Sequence, residues 1–582
     1  MRKALLLRAL PTLTVAATVV FLVSAGQPGQ AVTVGHGGAA SGSPLHARIV
    51  GTPISGTAAR PGTAPAPVTG LPSKKQQIKV LKAALATMHK NYSLLSGSEP
   101  GPQDVFDYNI APLWLKGIDG AGTTVAVIEG WDNPQISQIL AQFDAATGLP
   151  NPQVQTIFPS GPLPAKCPHR MVILGSYGSC QAWAQDELPL DVLAAHLVAP
   201  YAKIVISATP ADSQENDDAA SNVAPPEMMH ALEYISANHL ANVISISDGT
   251  GETTYPAGPA EITSQNAGEL TAAAAGIPVL VTTGDCGVVQ NLAIANSQCG
   301  NTSPGPDTAA WDDSPWVTAI GGSVPNLNSQ GQKVGPDPVW HVNGIFSEGA
   351  GYSSVFKRPS YQNGVANITN SPMRSVPDIT MDASSGTSQA APLFNGVLAL
   401  ATQVNHGNIG PINPILYKVL GPEGTKAGIA DVITGNNSVI VNGQVTVQGF
   451  TAAKGFDVAT GWGTVNAATF VPALAAATRA AHEDKAARAM AQAQLTGLEH
   501  STTLSVTDIP QGGSSYLFGT GFLPLHPVTF SIDGKAIATL TANTLGDLTY
   551  MIDPSLLGLS PGSHTVQLSG MVLTTTVSFT SH

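Results

Sequence analysis

The sequence predicts an α/β fold, a parallel sheet with helices on both faces, followed by a small all-β sandwich at its C-terminal end. Three observations predict it. From Thr124 onward, short continuous apolar runs such as Thr124-Val125-Ala126-Val127-Ile128 alternate with longer helical patterns. That is the signature of parallel strands buried on both sides by crossover helices. The alternation fades after about Leu474, and beyond Thr502 short strand-like runs are punctuated by Asp533-Gly534 and Pro561-Gly562, as in a β-sandwich.

The elements follow in order. Residues 1–25 begin Met1-Arg2-Lys3, continue through a mostly apolar stretch and end in Val23-Ser24-Ala25, the layout of a cleaved secretory signal. A membrane anchor is the alternative, but Arg8 and Pro11 leave only Leu13 to Val23 uninterrupted, too short to span a bilayer. Residues 26–100 are read as a low-complexity linker of Gly, Ala, Pro, Ser, Thr and Val plus a short helical pro-segment, with Ile78, Leu81, Leu85 and Met88 on one face of residues 74–95. In the main domain, residues 101–474, helices are expected over 135–146, 186–198, 227–240 and 269–275, and strands over 124–128, 203–207, 242–247, 278–283 and 316–320. An Ala-rich helical connector over 475–500 and an Ig-like β-sandwich over 501–582 complete the chain.

Composition narrows the function classes. Charged residues make up 11% of the 582 residues and the formal net charge is −13, which argues against nucleic acid as a partner. With 25 Lys+Arg and 14 His, the chain gains limited positive charge in acid, so acidic surroundings cause mild self-repulsion. The four cysteines, Cys167, Cys180, Cys286 and Cys299, are expected to form disulfides in an exported protein. Three pairings are possible; Cys167–Cys180 with Cys286–Cys299 is favoured because each closes a short loop rich in Gly, Ser, Asn and Pro. Zinc is the competing reading, but no two cysteines have close Cys-x-x-Cys spacing.

Gly386-Thr387-Ser388-Gln389-Ala390-Ala391-Pro392 carries the chemistry. Gly386 permits a sharp turn, the apolar run after it reads as a buried helix, and Pro392 is expected in its first turns. A serine at such an N-terminus has free N–H groups and the positive end of the helix dipole beside it, which suits acyl transfer. An ordinary Ser/Thr cap is the plain alternative. No His-Gly-Thr occurs anywhere in the chain, so a histidine base for Ser388 finds little support. Glu187 and Asp191 are four apart and share a helix face, where they can hydrogen-bond if one is protonated and act as a general base; surface helices also carry such pairs. Asp285, in Thr283-Gly284-Asp285-Cys286-Gly287, follows an apolar strand and is either a turn residue or, if protonated, a donor to an oxyanion.

Together these blocks resemble the sedolisins, serine-carboxyl peptidases with a subtilisin-like fold. The likeness spans about Phe106 to Phe470. It includes Asp107-Tyr108-Asn109-Ile110-Ala111-Pro112, Glu187 to Asp191, Val243-Ile244-Ser245-Ile246-Ser247, Gly284-Asp285-Cys286-Gly287, Ser314-Pro315-Trp316-Val317-Thr318, Val376-Pro377-Asp378 and Gly386-Thr387-Ser388. The resemblance implies a nucleophile at Ser388, a base at Glu187, an orienting acid at Asp191 and an oxyanion donor at Asp285. It also implies one structural calcium ion, held by the carboxylates of Asp431 and Asp457 and the carbonyls of Val432, Ala453 and Gly455, where an Asp- and Gly-rich turn pair is the alternative. A carboxylate base near its ordinary pKa of ~4.3 stays partly ionised in acid, so an acid-active, secreted, monomeric endopeptidase acting on proteins or peptides is expected.

The departures from the family pattern are specific. The segment ahead of the main domain is short where the family carries a large prosegment, and the interval from Asp378 to Gly386 lacks a loop. Leu193 replaces a second acid, and Asp248 stands where many members have tryptophan. Glu129 is either part of the acid network or a simple strand-end acid. The rival function is a catalytically impaired, secreted binding protein on the same scaffold.

Overall fold

The computed structural model describes residues 70–582 except 96–99, 160, 164–182, 210–225, 256–257, 291–305, 343–345, 442–443, 481–487, 492–501, 505, 520–521, 523–526, 543–547 and 571–573. The expected signal and most of the linker lie outside the described residues, as do Cys167, Cys180 and Cys299. Cys286 is disulfide-bonded.

Six strands precede the nucleophile region: β1 Thr124–Glu129, β2 Val154–Ile157, β3 Lys203–Ala208, β4 Val243–Ile246, β5 Val279–Thr282 and β6 Thr318–Ser323. Two short pairs come next, β7 His341–Val342 with β8 Phe346–Ser347 and β9 Gly351–Lys357 with β10 Met373–Val376, and then β11 Ile379–Asp382. The main sheet has the order β11-β6-β5-β4-β1-β3-β2 with every neighbour parallel. All six residues of β1 are buried. Val125 and Val127 join the core on one face while Ala126 and Ile128 join the core on the other, which explains the unbroken apolar run.

Helices cover both faces as predicted. Leu188–Val198, Thr387–Asn405 and Ala467–Ala480 supply one core; Pro226–Ala237 and Ala267–Ala275 supply the other. The chain runs from β1 outward to β2 and β3 on one side, then returns to build β4, β5, β6 and β11 on the other. The carboxyl ends of β1 and β4 therefore flank the point where the strand order reverses, the usual position of a site in such sheets. Asn395, fully buried on the Thr387–Asn405 helix, ties both strands together there: its Nδ2 donates to Ala126 O at 3.0 Å and to Ser245 Oγ at 2.9 Å.

Two strands, β2 and β11, are absent from the sequence expectation, and several boundaries move. The 316–320 strand runs instead over Thr318–Ser323, and the 186–198 helix opens with a wide i→i+5 turn, Trp183–Glu187, before Leu188–Val198. Residues 74–95 split into helices Lys74–Lys90 and Tyr92–Leu95, the first closed by reciprocal capping between Ser73 and Gln76. Strand β11 is anchored by a fully buried ion pair, Arg374 Nη2 to Asp378 Oδ2 at 2.6 Å, with Tyr417 OH and the Ala319 N–H also donating to Asp378. Such a pair is tolerable only because its lone pairs are satisfied.

The C-terminal segment is all-β. Strands Thr502–Leu504, Ser515–Gly519 and Leu548–Ile552 form one small sheet; Asp508–Ile509, Pro527–Ile532, Lys535–Thr541, Gly562–Ser569 and Thr574–Ser581 form another. An apolar core including Leu517, Phe530, Ile552, Val566, Leu568 and Phe579 joins them. Asp533 and Gly534 both take positive φ, 50° and 78°, as a two-residue hairpin turn requires. Of the expected connector, Ala467–Ala480 covers the first residues, while 481–487 and 492–501 lie outside the described residues.

Candidate active site

Ser388 sits in the first turn of the Thr387–Asn405 helix, entered through Gly386 at φ +88°. Side chains rarely adopt that backbone, and a Cβ there would come within 2.6 Å of Asp285 Oδ2, so glycine is required on both counts. Pro392 lies inside the helix rather than in its first turn. Lacking an N–H, it cannot donate to the carbonyl four residues back, that of Ser388. Ser247 Oγ, just beyond β4, takes up the vacancy at 3.3 Å from Ser388 O and also donates to Asp191 Oδ2 at 2.8 Å. The proline therefore leaves a carbonyl for a partner from another strand, and that partner is bonded to an acid of the site.

The four predicted side chains converge. Glu187, the last residue of the wide turn, accepts a hydrogen bond from Ser388, and its Oε1 is fully covered with no donor. A turn of this kind inside a helix often marks a functional position. Asp191, one helical turn on, is completely buried and accepts a hydrogen bond from Ser247. Asp285 follows β5; its Oδ1 accepts from the Thr387 N–H and from Thr387 Oγ1, each at 2.8 Å.

Sequence reasoning missed three contributors and left one undecided. Thr387 and Ser247 had no assigned role, and Asp248 stood only as a replacement for tryptophan. Glu129 is resolved: at the carboxyl end of β1 it is wholly buried, both its carboxyl oxygens are covered, and the charges of Asp191 and Glu187 act on it, so it belongs to the acid network. A hydroxyl directly before the candidate nucleophile and another directly after an apolar strand were the available signals. Leu193 packs against the apolar core.

Burial drives the electrostatics. It pushes Glu187 up to about 8, the Ser388 hydrogen bond pulling down and the charges of Asp285, Asp248 and Asp186 adding to the rise. Burial followed by the Glu187 charge raises Asp191 well above the carboxyl range; burial, then Asp191 and Glu187, does the same for Glu129. Asp285 is raised by burial against the opposing pull of its two Thr387 bonds. These directions overturn the expectation of a base near its ordinary pKa: the site holds protons at a pH where free carboxyls have lost them.

In the expected calcium loops, Asp431 Oδ2 accepts from the Gly455 N–H at 2.8 Å, and Asp457 Oδ2 accepts from the Ala453 N–H at 2.7 Å. Asp431 Oδ1 is covered and has no partner. Among the described residues no group of three or more His, Cys, Asp or Glu side chains gathers to hold a metal, so a cation here depends on carbonyl oxygens as well.

With this geometry in hand, the comparisons fall into place. No family model matches the chain. Over 351 residues it is 30% identical to kumamolisin of Bacillus sp. (strain MN-32), a match covering 56% of this chain and 55% of that protein. That likeness supports a place for the chain among the sedolisins. Human tripeptidyl-peptidase 1 is 29% identical over 260 residues, 39% of this chain and 42% of that one. The chain thus spans about half the length, 55% and 42%, of these curated relatives. A solved structure of Pseudomonas sedolisin, a serine-carboxyl proteinase complexed with two molecules of pseudo-iodotyrostatin, is 25% identical with a TM-score of 0.48, covering 62% of this chain and 94% of that one.

Proposed function

We propose that this chain is a sedolisin-family serine-carboxyl endopeptidase that cleaves peptide bonds through an acyl-enzyme on Ser388. One observation carries the reading: Ser388 donates to a buried Glu187 while Thr387, its neighbour, grips Asp285 by two hydrogen bonds. Ser388 Oγ attacks the peptide carbonyl carbon and its proton passes to ionised Glu187. The carbonyl oxygen gains negative charge and accepts a hydrogen bond from protonated Asp285. As the C–N bond breaks, Glu187 returns the proton to the leaving amine; water then repeats the cycle and frees Ser388. Asp191 and Glu129 hold Glu187 in a buried row of acids whose protons are shared.

The pH window follows from these roles. Glu187 must be ionised and Asp285 protonated, so activity is bell-shaped. Both groups are raised, which places the acid limb above that of a free glutamate, ~4.3. The signal-like residues 1–25 support secretion, which the presence of the protein in culture medium tests. Asp431 and Asp457, with the carbonyls of Val432, Ala453 and Gly455, fit one structural calcium ion, and the covered, unpartnered Asp431 Oδ1 supports this. Chelation is expected to lower the unfolding midpoint and added calcium to restore it.

Peptide hydrolysis followed from acidic to neutral pH tests the main reading. Ser388→Ala is expected to lose about 10⁴-fold or more in kcat. Equal rates in the variant, or activity that keeps climbing into alkaline pH, would overturn it.

A further inference from the structure

One acid at the site bonds to its own loop and has had no role in the reaction so far. Asp248 directly follows Ser247 at the carboxyl end of β4, the residue whose hydroxyl reaches both Asp191 and the Ser388 carbonyl. It is 8% exposed. Its Oδ1 accepts from the Gly249 N–H at 2.7 Å, while Oδ2 is fully covered and has no partner. An unpartnered carboxyl oxygen in a buried position is costly, and nothing in the fold requires an acid there.

What surrounds it gives the cost a purpose. The charge of Asp248 acts on both Glu187 and Glu129. The other groups acting on Glu187 through space are Asp285, which follows β5, and Asp186, on the wide turn; those acting on Glu129 are Asp191 and Glu187. All are acids. Like charges packed in a water-poor site compete, so the first to ionise raises the proton affinity of the rest.

We propose that Asp248 is a positioning residue for the peptidase reaction, whose carboxyl, unpartnered beside the row Glu129, Asp191 and Glu187, sets how readily that row gives up its working proton. The inference rests on the peptidase reading above. Asp248 competes with Glu187 for the negative charge that the base must carry. Burial raises both groups, and an ionised Asp248 holds the proton on Glu187. Taking away the competitor lets Glu187 ionise at lower pH. The sign is fixed: the acid limb moves down, and activity on that limb rises.

Asp248→Asn is the test, because the amide oxygen can still accept from the Gly249 N–H. The acid-side midpoint of kcat/KM is expected to fall by about one pH unit, close to tenfold in rate on that limb, with Asp248→Glu restoring the original midpoint. A second readout needs no hydrolysis. Infrared titration of the protonated-carboxyl band, with Ser388→Ala in the background, should show one fewer titrating group and a downward shift of the highest midpoint when Asn replaces Asp248. Asp248→Ser provides the same comparison should the Asn variant fold poorly, as near-ultraviolet circular dichroism would reveal. Unmoved midpoints in both readouts overturn the proposal. So does an unmoved midpoint combined with a KM rise confined to peptides bearing Lys or Arg, which would make Asp248 a substrate contact. If the infrared shift appears but hydrolysis does not depend on Ser388, the peptidase reading fails while the coupling of Asp248 to the acid row stands.

Discussion

The parallel-sheet region and the C-terminal β region bury their side chains by different rules. Around the main sheet, Glu129, Asp191, Glu269, Asp312, Asp313 and Glu348 are all 0–1% exposed, and burial raises the pKa of each. The core between the two C-terminal sheets is apolar, and its described ion pair, His564 with Asp533, leaves Asp533 largely exposed. Burying an acid costs stability unless it is protonated or paired. The first region therefore depends strongly on protons for its stability as well as for its proposed chemistry, and the second only weakly.

That contrast makes a large prediction. A carboxyl whose folded pKa lies above its unfolded value contributes full stability below the unfolded value, near 4, and loses it as pH rises through the folded value. For Asp248 the loss extends to about 7 and for Glu187 and Glu269 to about 8. Raising the pH from 4 to 8 should therefore weaken the sheet region by several kcal/mol. Hydrogen exchange on the intact chain reads it by segment: protection over β1, β4 and β5 should fall by several kcal/mol across this window, and protection over Pro527–Ile532 and Gly562–Ser569 by no more than about 1 kcal/mol. Equal falls in both regions would erase the comparison.

Glu269 sharpens it, since it lies outside the proposed site. It is 1% exposed on Ala267–Ala275 and accepts a hydrogen bond from Ser314 Oγ. Its rise to about 8 corresponds to stability on the order of 4–5 kcal/mol, present below pH 4 and lost by pH 8. Glu269→Gln keeps an acceptor for Ser314 and removes the titration. Denaturant midpoints should be similar at pH 4 and markedly higher for the variant at pH 8.

The parts legible in the sequence were those whose signals are local. Apolar strands separated by helices, the Gly386-Thr387-Ser388 turn, the four-residue spacing of Glu187 and Asp191, and Asp285 after a strand can each be read within a short window. The remainder depends on long-range approach. Ser247 reaches the Ser388 carbonyl across 141 residues, a contact prepared by the proline four positions after Ser388. Strand β11 is short and carries polar Thr380 and Asp382, so periodicity does not mark it; the sheet partner β6 and the Arg374–Asp378 pair define it. The base's pKa could not be read either, because the raising term is burial, a property of the whole fold.

The smallest effect belongs to the C-terminal region. His564, on the strand Gly562–Ser569, places its Nδ1 2.6 Å from Oδ2 of Asp533, which begins the hairpin turn after Pro527–Ile532. Hydrogen bonding to Asp533 raises His564 against a cost of burial, and the same contact, with the Thr565 N–H, lowers Asp533. The signs oppose: the Asp533 contribution is lost as pH falls through its lowered pKa, and that of His564 as pH rises through its raised one. The pair is thus strongest in mild acid, between the two titrations, whereas the buried acids of the sheet region are most stabilising at the lowest pH. With Asp533 largely solvated, His564→Ala should cost no more than about 1 kcal/mol through the pair itself. Exchange over Pro527–Ile532 and Gly562–Ser569 should report it, with the difference from wild type greatest near pH 5–6 and smaller on both sides. A difference that instead grew steadily towards acid would mean that a buried carboxyl governs this region too, and the division between the two halves of the chain would not hold.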